Sequence, residues 1–160
     1  MTTDYAMLAR QLDALCDGET DVLAISANFV SLLYAELEDI NWLGIYVRRG
    51  AELVLGPFQG RPACVHIPLG QGVCGSAAAD DRTMRVDDVH QFDGHIACDP
   101  ASNSELVVPL RNEGGVFGVL DIDSPSHARF SAADQAGVEM LCEKFSRSIA
   151  GKPRAAEGFI

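Results

Sequence analysis

Hydrophobic side chains recur at helical spacing near both ends of the chain. Leu8 and Leu12 lie on one such stripe within residues 5–16, and a longer stripe runs through residues 22–37. Residues 131–149 carry a third stripe, in which polar residues separate the apolar ones. Because apolar residues that recur every three or four positions share one face of a helix, the pattern predicts two helices at the start and one at the end.

Short apolar runs separated by turn residues fill the middle of the chain and predict β-strands. The predicted strands are 41–48, 52–58, 61–67, 83–86, 104–111 and 116–124. A short helix of small residues is expected near 76–79, and 87–103 is a loop of the length that often indicates function. These elements together predict an α+β fold, in which helices pack on a mostly antiparallel central sheet.

No repeat or linker divides the sequence. Residues 1–150 are therefore expected to form a single domain, followed by a flexible C-terminal tail over 151–160. The formal net charge is −11. An acidic surface repels phosphate backbones and anionic lipids, so neither nucleic acid nor membrane is expected as a partner. No apolar run approaches the roughly 20 residues of a membrane span and no signal peptide is visible, which predicts a cytoplasmic protein.

The last two predicted strands form a hairpin with two different faces. A three-residue loop, 113–115, would pair Asn112 with Val116. The cross-strand pairs Leu106–Ile122, Val108–Leu120 and Leu110–Gly118 would then build one wholly apolar face. A two-residue loop would instead mix the faces, so the alternation favours the first register.

The opposite face of this hairpin collects three acids. Glu105 lies across from Asp123, and Asp121 lies two residues along the same strand. In a partly buried site, at least one of these carboxyls would keep its proton, while ionised neighbours could bind an ammonium group. A solvated outer face explains the same pattern equally well. A hard metal cation is disfavoured, because the acids lack the spacing of a calcium loop.

The chain has five cysteines, which in a reducing compartment are expected to be catalytic, metal-binding or core residues. Cys16 and Cys142 lie on helical apolar stripes and are predicted core residues. Cys74 lies next to a helix start and Cys98 lies near a histidine, so both are candidates for thiolate character. Asp99 opposes that character at Cys98. No spacing matches a common zinc site, and we assign no metal.

Six short motifs, which follow one another along the chain, indicate a protein family more specifically than these separate features do. They are Asn41-Trp-Leu-Gly-Ile-Tyr, Leu55-Gly-Pro-Phe-Gln-Gly-Arg-Pro-Ala-Cys, Gly72-Val-Cys-Gly, Gly94-His-Ile-Ala-Cys-Asp, Ser104-Glu and Gly118-Val-Leu-Asp-Ile-Asp-Ser-Pro. The whole string closely resembles the free methionine-R-sulfoxide reductases, whose members are single GAF domains. The resemblance implies a GAF-type fold and an oxidoreductase of the methionine sulfoxide reductase type, active against oxidative stress.

The resemblance also implies roles for three cysteines. Cys98 would attack the sulfoxide sulfur and become a sulfenic acid, Cys64 would resolve it as a disulfide, and Cys74 would be a second thiol able to take part in exchange. Thioredoxin, with NADPH and thioredoxin reductase, would recycle the redox-active disulfide. No bound cofactor is implied, and a homodimer is an expectation common to GAF domains.

The remaining implied site residues bind the substrate. Glu105, Asp121 and Asp123 match the family's substrate-binding acids, and Trp42 and Tyr46 match its aromatic wall. Core packing is the alternative explanation for the two aromatic residues. The alternative function for the whole chain is a GAF-type small-molecule or redox sensor without turnover. Mutation of the three acids should affect a reductase or a ligand sensor but not a redox sensor, and turnover that is lost in Cys98→Ser would identify the reductase.

Overall fold

The computed structural model describes residues 2–96 and 98–152. Its helices are α1 (Tyr5–Cys16), α2 (Val22–Glu36), α3 (Gly72–Asp80) and α4 (Ala132–Ile149), with a single 3₁₀ turn at Val89–Gln91. Its strands are β1 (Trp42–Arg49), β2 (Glu52–Gln59), β3 (His66–Pro68), β4 (Met84–Val86), β5 (Ser104–Asn112) and β6 (Gly115–Ser124). Of the predicted tail, only Gly151 and Lys152 are described, and the rest lies outside the described residues.

The six strands form one sheet in the order β3-β2-β1-β6-β5-β4, and every described neighbouring pair is antiparallel. The predicted α+β class is thus confirmed. The predicted third strand over 61–67 is wrong in its bounds: the strand is His66–Pro68, and before it Val65 O accepts a hydrogen bond from Leu55 N of β2. Residues 61–65 run beside the sheet instead and carry Cys64 toward the site described below.

Helices α1, α2 and α4 cover one face of the sheet and build the larger core. Helix α4 contacts β5, α2 contacts β1 and β2, and α1 packs on α2 and α4. At the centre Phe29 of α2 stacks on Phe145 of α4 with ring centroids 4.6 Å apart. Side-chain caps fix where these helices begin: Asp4 accepts from Met7 N, and Ser131 forms a capping box with Asp134.

The other face of the sheet has a thinner cover. Helix α3, nine residues long, contacts β5 and β6, and the connecting segments complete a second, smaller apolar cluster. A short helix cannot cover six strands, so part of this face is left for a cavity. None of the helices described over 2–96 and 98–152 is long and apolar enough to cross a membrane.

The β5–β6 hairpin confirms the predicted facing of the strands and corrects the predicted turn. Leu106 pairs with Ile122, and Leu110 pairs with Gly118. Asn112 pairs with Gly115 rather than Val116, so the turn has two residues. A bulge beyond Leu110 inserts one extra residue into β6 and restores the register that the apolar alternation demands. The three acids therefore share one face, opposite α1, α2 and α4.

Candidate active site

A cavity opens between the thinly covered face of the sheet, helix α3 and the loop 87–103. About 530 Å³ of space lies between its walls, the open mouth included. Seven of the eight predicted site residues line it: Trp42, Tyr46, Cys74, Cys98, Glu105, Asp121 and Asp123. The eighth, Cys64, joins the cavity through a covalent bond.

That bond is a disulfide between Cys64 and Cys98, whose Cα atoms are 5.5 Å apart. Cys64 lies between β2 and β3, and Cys98 lies in the loop 87–103, so the disulfide ties the loop to the sheet across the cavity mouth. Both residues are partly exposed, which leaves the pair accessible to a reductant. The other cysteines, Cys16, Cys74 and Cys142, are free thiols.

Cys74 is a buried thiol that contacts the acids. Its Sγ atom lies 3.7 Å from Oε1 of Glu105, to which it donates a hydrogen bond. Burial, and then the charges of Asp121 and Glu105, raise the pKa of the Cys74 thiol well above its usual value. The predicted thiolate character at Cys74 is therefore wrong, because desolvation and like charge outweigh the start of α3.

The three acids are mostly removed from water, so the solvated outer face is ruled out. Glu105 pairs with Asp123 across the hairpin, and Glu105 and Asp121 are each only 6% exposed. Burial raises the pKa of Asp121 from 3.8 to about 6. Burial and the neighbouring carboxylates raise the pKa values of Glu105 and Asp123 well above the usual range. Glu105 and Asp123 are thus the members of the cluster in which the protonated form is most strongly favoured, whereas Asp121 is largely ionised at pH 7.

Trp42 and Tyr46 project from the same face of β1 and form an aromatic wall. Their ring centroids are 5.8 Å apart, and Trp42 also stacks on Phe58 at 5.4 Å. Tyr46 Oη donates to the backbone oxygen of Cys64 at 2.9 Å, which fixes one side of the disulfide. Gly44 makes this packing possible, because a Cβ atom there would lie 2.5 Å from both Trp42 and Phe58.

Three further contacts, made by His95 and Asn41, were not predicted from the sequence. His95 Nε2 lies 3.9 Å from Oε2 of Glu105, and the His95 side chain is 16% exposed. Burial, and then the charge of His90, lower the pKa of His95, so its ring is neutral at pH 7. Asn41 Nδ2 donates to Asp99 and Ser102, each at 3.2 Å, and anchors the segment after Cys98.

The sequence held a signal for most of these residues. Asn41, His95 and Asp99 all lie inside the six motifs, yet nothing in the spacing indicates what each contacts. Ser102 lies outside the motifs and carried no signal. These contacts form because the loop 87–103 folds back on the sheet. It meets Glu105 of β5 and also Asn41, which directly precedes β1 and lies far from the loop in the sequence.

A six-stranded antiparallel sheet flanked by these helices, with its cavity closed by loops, defines a GAF domain, and the sequence model of the GAF domain matches residues 6–149. The chain is 52% identical to the free methionine-R-sulfoxide reductase of Escherichia coli (strain K12), over 93% of this chain and 90% of that one. It belongs to the free methionine-R-sulfoxide reductase family of GAF domains.

Solved structures of this family superpose closely on the chain. The Staphylococcus aureus fRMsr in complex with substrate matches with a TM-score of 0.89 and 46% identity, over 94% of this chain and 98% of that one. The free methionine-R-sulfoxide reductase of Neisseria meningitidis, also in complex with its substrate, matches with a TM-score of 0.86 and 39% identity, over 91% and 87%.

Proposed function

We propose that this chain reduces free L-methionine-R-sulfoxide to methionine and is a thiol-dependent oxidoreductase. The observation that carries the proposal is the Cys64–Cys98 disulfide, which lies beside a cavity lined by the three buried acids. A disulfide in such a place is the product expected after two thiols have removed one oxygen atom from a substrate. The names and substrate complexes of the relatives support the same reaction.

The first step is the attack of the Cys98 thiolate on the sulfoxide sulfur. The substrate sulfur–oxygen bond breaks, the oxygen passes to Cys98 as a sulfenic acid, and methionine leaves with the lone pair restored on its sulfur. Oxygen can depart only if it receives a proton. Glu105 and Asp123, whose pKa values burial raises well above the usual range, are the members of the cluster that can supply it, beside the ionised Asp121.

The second step resolves the sulfenic acid. The Cys64 thiol attacks the Cys98 sulfur, a disulfide forms, and the oxygen leaves as water. The Cα–Cα distance of 5.5 Å means that the two residues need little backbone movement to react. Cys74 is the second thiol for disulfide exchange. Its raised pKa makes it a slower nucleophile than a partly exposed cysteine, so Cys64 is the first resolving residue.

The same cavity suits the other groups of a free amino acid. Ionised members of the acid cluster attract the substrate ammonium, which a peptide-bound methionine lacks. The Trp42 and Tyr46 wall provides an apolar surface for the sulfoxide methyl group. His95, which is more exposed than Glu105, positions that carboxyl and relays protons to it from water.

The catalytic cycle requires an external dithiol, for which we propose thioredoxin, regenerated by thioredoxin reductase and NADPH. No bound cofactor takes part. A cycle that begins from reduced thiols fits the cytoplasm, where it would repair methionine damaged by oxidative stress. A homodimer is the proposed assembly, and size-exclusion chromatography with light scattering tests it.

The decisive experiment measures thioredoxin-coupled NADPH consumption with free methionine-R-sulfoxide, its S epimer and a peptide-bound sulfoxide. We expect turnover with the free R epimer, complete loss in Cys98→Ser, and unchanged turnover in Cys16→Ser, which is the matched control. Turnover of none of the three by folded, reduced protein would refute the proposal and favour a ligand sensor.

A further inference from the structure

We propose that Asp88, His90 and His127 form a surface site for a divalent transition-metal ion such as Zn²⁺. The site lies outside the catalytic cavity, whose lining includes none of these residues. Asp88 and His90 lie at the start of the loop 87–103, and His127 lies in the connection between β6 and α4. The inference does not depend on the proposed function.

The three donor atoms already converge on one point. Oδ1 of Asp88 lies 2.9 Å from Nδ1 of His90 and 3.6 Å from Nε2 of His127, and all three atoms lie within 4.8 Å of one another. Zinc bonds of about 2.0–2.1 Å in tetrahedral geometry place ligand atoms about 3.3 Å apart. Small side-chain adjustments therefore bring the three donors to bonding distance.

The backbone holds the two contributing segments together without a metal. Ala128 N donates to Asp87 O at 2.9 Å, which joins the residues adjacent to His127 and Asp88. Ala128 adopts a φ of 50°, a left-handed conformation that costs an L-residue energy and is retained where the surroundings require it. Val89, between the other two ligands, is fully buried and its N–H donates to Asn103 O at 2.9 Å. The ligand positions are therefore largely preorganised.

The chemistry of the donors selects the class of ion. Two imidazoles and one carboxylate suit zinc, nickel or copper, whereas calcium and magnesium prefer oxygen-only sites. Asp88 supplies a carboxylate oxygen that already lies close to both imidazoles. The two histidine side chains are 62% and 60% exposed, which leaves room for water at the remaining coordination positions. The net charge of −11 also favours a cation.

Binding would link the start of the loop 87–103 to the β6–α4 connection. The same loop carries His95 and Cys98 further along, and the charge of His90 already contributes to the lowered pKa of His95. An ion on His90 adds positive charge at that point. Metal binding would therefore stiffen and polarise the loop from its outer end without occupying the cavity.

The test is a Zn²⁺ titration of the untagged, oxidised full chain by isothermal calorimetry at pH 7.5. We expect binding of one equivalent, weakened about tenfold or more in His90→Ala and in His127→Ala and unchanged in His66→Ala. His66 is the matched control because it too is exposed and paired with a single carboxylate, Glu52, at 3.1 Å. Substitutions of exposed side chains leave folding intact, which circular dichroism verifies.

A cobalt(II) titration identifies the ligands independently. Nitrogen and oxygen ligands give weak visible bands alone, whereas a thiolate–cobalt charge-transfer band would place the ion on a cysteine, as at Cys74 beside Glu105 and Asp121, a second cluster of donors within the described residues. That band, equal affinity in His90→Ala and the native chain, or no binding at millimolar Zn²⁺ would each overturn the proposal.

Discussion

Replacement of Asp121 by asparagine is expected to stabilise the protein while impairing its chemistry. Asp121 is 6% exposed, its Oδ1 atom has no hydrogen-bond partner in the described part of the chain, and burial raises its pKa from 3.8 to about 6. The ionised form is therefore disfavoured in the folded state relative to the unfolded state. Asparagine keeps the shape of the side chain and removes the charge.

The size of the effect follows from the two pKa values. Below about pH 4 the carboxyl is protonated in both states and does not reduce the free energy of unfolding. Between about pH 4 and pH 6 the unfolded chain releases a proton that the folded protein keeps, so the free energy of unfolding falls as the pH rises. Above about pH 6 the carboxyl is ionised in both states, and the free energy of unfolding falls no further on its account. The interval from 3.8 to about 6, at about 1.4 kcal/mol per pH unit, amounts to about 3 kcal/mol.

The assay is urea denaturation of the oxidised native protein and Asp121→Asn at intervals from pH 4 to pH 8. A gain of about 3 kcal/mol raises the midpoint by about 1–2 M urea at pH 7–8, and the gain should vanish near pH 4. Turnover should fall, because the acid cluster loses a member. Stabilisation that does not depend on pH, or destabilisation at every pH, would refute the reasoning.

Asp134→Asn is the matched control, with the opposite sign. Burial opposes ionisation at Asp134 as well, but hydrogen bonds from Ser131 and Tyr5 outweigh it and lower the pKa of this carboxyl. A lowered pKa stabilises the fold above the unfolded-state value, and this stabilisation is lost as the pH falls. Asp134→Asn should therefore reduce the free energy of unfolding at pH 7, and the difference from the native protein should shrink toward acid.

Three other outcomes are expected. Gly44→Ala places a Cβ atom 2.5 Å from Trp42 and should lower the free energy of unfolding by roughly 1–3 kcal/mol and raise KM, as thermal denaturation and steady-state kinetics would reveal. Cys64→Ser should accumulate the Cys98 sulfenic acid, which dimedone labelling and mass spectrometry detect, and should turn over slowly through Cys74. Protein that stays unlabelled would contradict the proposal that Cys64 resolves the sulfenic acid before Cys74 does. His95→Gln should lower kcat about tenfold at constant KM, with partial rescue by imidazole; a changed KM alone would indicate substrate contact instead.

The hairpin of β5 and β6 shows how much of this fold can be predicted from the sequence. Alternation of apolar residues over 104–110 and 118–124 fixes which side chains share a face, because a one-residue slip would turn a strand's helix-facing residues to the side that carries the acids. The turn itself was mispredicted. Gly115 adopts a φ of 105°, which permits a two-residue turn followed by a bulge, and nothing in the sequence distinguishes this from a three-residue loop.

The candidate site, like the hairpin, could be predicted only in part from the sequence. The three acids could be placed together from strand periodicity, but whether water covered them depended on α3 and the loop 87–103, which packing alone determines. Cys74 was misjudged for this reason: its place at a helix start was visible, and the burial that raises its pKa was not. The Cys64–Cys98 pairing came only from family resemblance, since 34 residues separate the two cysteines and no periodicity connects them.

The unequal covering of the sheet explains why the acids can be retained at all. Away from Ser104 and Ser124, the helix-facing side chains of β5 and β6 are apolar and belong to the larger core that α1, α2 and α4 complete. On the other side, Val107 and Val119 pack beneath α3, while Glu105, Asp121 and Asp123 lie toward the strand ends, where the cover gives way to the cavity. The hydrophobic stabilisation on one face of each strand thus offsets the cost of burying carboxyls on the other. Substitutions in the apolar face, such as Leu120→Ala, should therefore lower the free energy of unfolding without altering the pH dependence that Asp121 imposes.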